Sequence, residues 1–427
     1  MKRAVRGRIA HCLRRPSMSG DVEYFDDGAL IIDDGVIAAC GPYSEIVPAE
    51  SELETIDHSG QLIVPGFIDC HIHYPQTDVI ASFGEQLLTW LETYTFPEEA
   101  RFHDRKHAET TAAFFVDELL RNGTTTALVF ATVHPGSVDA VFQAAARYNM
   151  RLAAGKVLMD RHCPENLRDT AATAYSDSRA LIERWHGNGR AMYAVTPRFA
   201  VTSSPEQLHA AARLLDEFPG TLMQTHLAEN YAEIEWIAEL FPEARSYLDV
   251  YEQHGLVRST SVFAHGIHLD DTDRARLAAN GSAIAFCPTS NLFLGSGLFD
   301  RNASLAASVG VGLATDVGGG TSFSMIQTLA EAYKVLQMGS QNLDSLDALY
   351  LATLAGAEAL SMSDKIGNFA RGKEADFVVL NGAATPLISR RLARVATLED
   401  ELFVHWTLGD DRSVAATYVA GHCCHRA

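Results

Sequence analysis

The sequence predicts an α/β protein: a (β/α)8 barrel carrying a small β-sandwich domain assembled from both chain ends. Three observations predict it. Eight apolar, strand-like runs alternate with helix-compatible stretches through the middle of the chain. Both ends read instead as short strands broken by turns. Residues suited to catalysis fall at the ends of strand runs, which is where barrels place their active sites. The alternative is a doubly wound open sheet, which shares the alternation but does not gather those ends around one axis.

The N-terminal part of the sandwich is expected over 1–64, the barrel over 65–365 and the C-terminal part of the sandwich over 366–427. Residues 28–41 hold two apolar runs around Asp34 and Gly35, the pattern of a β-hairpin. The barrel strands are expected at 62–69, 124–130, 151–159, 191–197, 221–226, 261–265, 282–287 and 311–316. Stretches such as 110–121 and 205–217 supply helices between them. Near the C-terminus, 367–381 reads as a turn followed by an apolar strand, and 415–420 as another short strand.

At 427 residues, 47% hydrophobic and 21% charged, the chain is long and apolar enough for a sizeable core. The 34 basic residues against 54 acidic ones give a net charge of −20. Such a surface repels phosphate, so nucleic acid and anionic membrane are poor partners. The basic start, from Lys2 to Arg15, is not followed by the apolar stretch of a secretory signal, and no run is long enough to span a bilayer. Seven cysteines, an odd number without a C-x-x-C pair, argue against a disulfide framework and for a reducing cytoplasm.

His71 and His73 close the first barrel run. Strand alternation puts i and i+2 on one face, so both imidazoles reach one point, as a metal ion requires. Three later strand ends add to the set. They are His226 with Glu229 just beyond, His265 before Gly266, and Asp316 before Val317 and three glycines. Each taken alone has a plain reading: a chance pair, a capping glutamate, a helix-capping aspartate. Jointly, nitrogen and oxygen donors at four strand ends describe a catalytic zinc or iron site with an open position. His268 reads as structural or exposed. His107 and Glu109 match half of a deaminase zinc signature, but its P-C-x-x-C half is absent, so they read as a solvated helix face.

The stretches 65–73, 225–229, 264–266 and 315–316 together resemble the amidohydrolase superfamily, and the resemblance spans nearly the whole chain. Finer matches lie at 71–76, 88–97, 196–199, 226–230 and 287–291. They point to the members that hydrolyse guanine to xanthine and ammonia. Deamination of another aminated heterocycle (pterin, triazine or adenosine-type) is the alternative. A catalytically dead barrel-fold assembly protein is disfavoured, because none of the expected ligands is missing.

The resemblance implies that one divalent metal, Zn2+ or else Fe2+, is held by His71, His73, His226 and Asp316. It implies that Glu229 and Asp316 move protons, that His265 borders the metal, and that Gln76, Arg198 and Phe199 hold the purine. A homodimer is usual for the resembled family. Residues 82–97 read as a cover over the site, with Gly84 as hinge and Leu87, Leu88 and Trp90 excluding water. Cys70 stands where the family usually has threonine and is expected to point away from the histidines. Some members bridge two metals with a carboxylated lysine at a strand end. Lys156, read as lying near the start of its segment, favours a single ion.

Overall fold

The computed structural model describes residues 2–17, 20–47, 53–84 and 86–427. Its smaller domain is one seven-stranded sheet from both chain ends. It comprises β1 (Arg3–Cys12), β2 (Val22–Asp33), β3 (Val36–Pro42), β4 (Glu54–Pro65) and, much later, β14 (Phe377–Leu380), β15 (Val414–Val419) and β16 (His422–Arg426). Their order is β16-β15-β14-β4-β1-β2-β3. The expected hairpin joins β2 to β3. Asp34 (φ 47°) and Gly35 (φ 83°) are both left-handed, as a two-residue hairpin turn with the right twist demands.

Period-two alternation gives this sheet two faces. Ile63, Phe377 and Val379 pack with Val5, Ile9, Leu30 and Tyr418 in the small domain's own core. Their neighbours Leu62, Val64, Val378 and Leu380 turn the other way and join the barrel's core. Arg151 and Arg190 of the barrel add an ionic clasp to Glu374 and Asp376 beside β14.

The barrel strands are β5 (Phe67–His73), β6 (Thr124–Phe130), β7 (Arg151–Gly155), the short β8 (Val157–Leu158), β9 (Ala191–Pro197), β10 (Leu222–Leu227), β11 (Ser261–His265), β12 (Ala283–Phe286) and β13 (Gly310–Leu313). They pair in parallel in the order β13-β12-β11-β10-β9-β7-β6-β5, with β8 against β9. The expected strand at 62–69 is corrected. It splits at Gly66 into the end of β4, which pairs with β14, and the start of β5, which pairs with β6.

Backbone bonds beyond β13 tie the last strand to the first: Asp316 N–H donates to the His71 carbonyl (2.9 Å), and His73 N–H to the Val317 carbonyl (2.9 Å). The buried Asp69 carboxylate reinforces this seam, accepting from Thr315 N–H (3.1 Å), the Thr315 hydroxyl and His71 N–H (3.2 Å). Burial pushes the Asp69 carboxyl up to about 7 against those bonds. No described helix is long and apolar enough to cross a membrane.

At the end of β7, a Cβ on Gly155 would stand 1.7 Å from the Ala194 carbonyl oxygen on the adjoining strand. Gly155→Ala is therefore predicted to force β7 and β9 apart and to destabilise by about 1–3 kcal/mol or more. Urea unfolding checks it: the midpoint falls while the slope stays constant, and an unchanged midpoint refutes the clash.

Candidate metal centre and active site

His71 and His73 lie on one face at the end of β5. His226 comes from β10, His265 ends β11, and Asp316 follows β13. His71, His73, His265 and Asp316 are buried and His226 is partly buried. His71 Nε2 lies 3.1 Å from His73 Nε2 and 3.2 Å from Asp316 Oδ1. His226 Nε2 lies 3.2 Å from His73 Nε2. The Phe130 ring packs against His71, His73 and His226, with centroids 4.9, 4.5 and 4.9 Å apart.

These donors fit a divalent cation. The His226 Nδ1–H donates to the Arg198 carbonyl (2.7 Å), which leaves Nε2 as a bare lone pair turned toward its neighbours. Burial lowers the pKa of His71, and still more those of His73 and His226, so all three are held as neutral, ligand-form imidazoles. Burial alone would raise the Asp316 carboxyl, but the imidazoles of His71, His265 and His73 outweigh it and hold it well below its usual range. Three imidazole nitrogens and an anionic oxygen converging this closely are a cation's donor set. His265 (φ 69°) and Asp316 (φ 50°) are both left-handed non-glycine residues, strain of the kind that gathers at functional sites.

Glu229 lies beside this cluster, its Oε2 3.3 Å from His265 Nε2 and its Oε1 accepting from the Ser296 hydroxyl (3.0 Å). Burial, with Asp316 adding to it against His265, pushes the Glu229 carboxyl up to about 7. His265 donates through Nδ1 to Asn291 Oδ1 (2.8 Å). Burial opposes its charged form, but Glu229 and Asp316 prevail and raise its pKa. Ser290 donates to Asp316 Oδ2 (2.6 Å).

One cavity gathers His73, Gln76, Leu87, Trp90, Arg198, Phe199, His226, Glu229, His265 and Asp316. The segment after β5 roofs it. Gln86 fastens this roof by accepting from Asn230 Nδ2 (3.2 Å) and donating to the Leu294 carbonyl (3.4 Å). Of the expected cover, Glu85 lies outside the described residues.

The amidohydrolase family model matches residues 62–424. The chain belongs to the amidohydrolase family. It is 51% identical over 426 residues to the guanine deaminase of Escherichia coli (strain K12), across 98% of this chain and 97% of that one. The solved E. coli guanine deaminase superposes with a TM-score of 0.97 at 50% identity, each chain fully covered. Guanine deaminase from C. acetobutylicum, solved with guanine bound in its active site, gives a TM-score of 0.89 at 28% identity, over 99% of this chain and all of that one.

Two expectations from the sequence are corrected by the structure. Leu88 does not line the cavity. Residues 87, 90 and 91 do, because the short helix Leu87–Trp90 presents i, i+3 and i+4 on one face and turns Leu88 off it. Lys156 stands between β7 and β8, immediately before Val157 as the sequence implied, and its ammonium pairs with Asp169. His107 is half-buried rather than solvated: it meets Glu98 (3.1 Å) and packs edge-on against Phe102. Cys70 does turn away from the histidines, toward the Gly356 carbonyl (3.9 Å). His268 bonds the Ser296 carbonyl (2.9 Å) outside the donor cluster.

Sequence reasoning missed several residues of the site. Glu233 accepts from Glu229 N–H, Asn230 N–H and the Tyr247 hydroxyl. Its signal was present: Asn230 followed three residues later by glutamate is a capping box, which the helix Tyr231–Leu240 forms. Asp69 and Glu99 gave no local signal.

Proposed function

We propose that the chain hydrolyses guanine to xanthine and ammonia at this cavity. What carries the reading is that three of the four donors (His73, His226 and Asp316), a raised carboxyl at Glu229 and the trio Gln76, Arg198 and Phe199 line one cavity, with His71 in contact with His73 and Asp316 behind them. The 51% identity to the E. coli guanine deaminase supports the same reading. His71, His73, His226 and Asp316 would hold one ion, zinc by its preference for a nitrogen-rich set of four, with ferrous iron as the alternative. Bound there, such an ion would supply hydroxide at neutral pH, because it lowers the pKa of water from roughly 16 to about 7.

The chain's own residues do the rest. Phe199 offers a stacking face, Arg198 donates to the carbonyl edge of the ring, and Gln76 offers both a donor and an acceptor. Asp316 accepts the proton of the attacking water as its oxygen bonds C2. Glu229 gives its proton to N3, which makes C2 electrophilic. The new hydroxyl then returns a proton to Glu229. Asp316 passes its proton to the exocyclic nitrogen, the C2–N bond breaks with its electron pair on nitrogen, and ammonia leaves. Trp90, Leu87 and Leu91 keep bulk water from the adduct. Seven free thiols fit a reducing compartment.

Ammonia release across purines, pterins and triazines tests the proposal. Guanine is expected to exceed every other compound by about a hundredfold in kcat/KM, the scale on which a site built around a substrate's polar groups rejects analogues. A pterin or triazine turned over faster overturns it.

A further inference from the structure

Glu99 is fully buried at the end of the helix Phe96–Glu99, behind the cavity wall. Its Oε2 accepts from Arg198 Nη1 (2.6 Å) and its Oε1 from Gln76 Nε2 (3.1 Å). The Gln76 Oε1 in turn accepts from Gly318 N–H (3.1 Å). The Gln76 amide thus has one fixed orientation, its nitrogen toward Glu99 and its oxygen toward Gly318. One N–H and one lone pair remain for a ligand. The Arg198 guanidinium lies over the Phe96 ring (5.2 Å), and among the described residues Glu99 is its one ion-pair partner.

A lone guanidinium in a dry cavity is an anion receptor. One already paired with a carboxylate keeps its free N–H groups, but its net charge is cancelled at close range, where low dielectric makes that charge count most. Gln76 and Arg198 line the cavity while Glu99 stands behind them, so the carboxylate cannot compete for the ligand's donors.

We propose that Glu99 is a positioning and specificity-determining residue: it fixes Gln76 and Arg198 together and makes the site select an uncharged purine over an anionic one. The inference rests on the reading of the cavity as a purine site. Because the C2 carbonyl formed by hydrolysis makes the ring more acidic than guanine, the same pair favours departure of the product once it ionises.

The experiment compares hypoxanthine, neutral at pH 7, with urate, an anion at pH 7. Their dissociation constants are measured by tryptophan fluorescence in the metal-loaded protein. The native protein is expected to prefer hypoxanthine by about tenfold or more, and a native preference for urate overturns the proposal, with no variant needed. Glu99→Gln is expected to shift the ratio of the two constants toward urate by about tenfold. It should also raise KM for guanine by about ten- to a hundredfold, more than it lowers kcat. Glu99→Asp keeps the charge but shortens the bridge, so it should raise KM and leave the ratio unmoved. An unmoved ratio in Glu99→Gln, or an unchanged KM in Glu99→Asp, overturns the proposal. Binding does not depend on which ring is turned over. Native protein that binds both probes without deaminating guanine therefore counts against the proposed reaction and leaves the selectivity test standing.

Discussion

Glu229→Gln is expected to keep its metal and lose turnover by about 10²–10⁴, the range contributed by a positioned proton donor. Glutamine preserves the shape and the acceptor for Ser296 but has no proton to give N3. Metal content by atomic emission separates this from collapse of the site. The pH profile adds a second reading. The Glu229 carboxyl is pushed up to about 7, chiefly by burial, so its protonated form is abundant below that pH and disappears above it. In the native protein kcat/KM should therefore fall on the alkaline side with an inflection near 7. Asp316 is held well below its usual range, so its proton-accepting form persists on the acid side. The residual activity of Glu229→Gln should lack the alkaline inflection. Native-like turnover in this variant would remove Glu229 from the reaction.

Stripping the protein with a chelator is expected to cut turnover by about a thousandfold or more, because several kcal/mol of transition-state stabilisation go with the ion. One equivalent of zinc or ferrous iron per chain should restore it. His226→Ala should fail to retain the ion, since it removes the imidazole whose tautomer the Arg198 carbonyl sets. Full activity in protein shown to hold no metal, or two ions per chain at saturation, would contradict the donor assignment.

The barrel was legible because parallel strands covered on both faces read as unbroken apolar runs, and β6, β9 and β11 fall within their expected limits. The run at 62–69 misled because apolarity does not distinguish two consecutive strands of different domains. His71 and His73 were legible because their spacing alone puts them on one face. Leu88 was assigned to the cavity and Leu91 was passed over because a one-turn helix has too few residues to reveal its phase. Glu99 and Asp69 were invisible for a different reason. A lone acidic residue reads as solvated surface, and only the chain arriving from Arg198 or Thr315 makes it a buried bridge.

The bonds that shut the ring of strands run through the backbone of His71 and Asp316 themselves, and Asp69 meets Thr315 across 246 residues of chain. A nascent polypeptide that has not yet reached residue 316 has neither a shut ring nor the fourth donor. On the proposed donor assignment the full set is complete only once the region around Asp316 has cleared the ribosome, and a translation product truncated before it is expected to retain no ion when its metal content is measured.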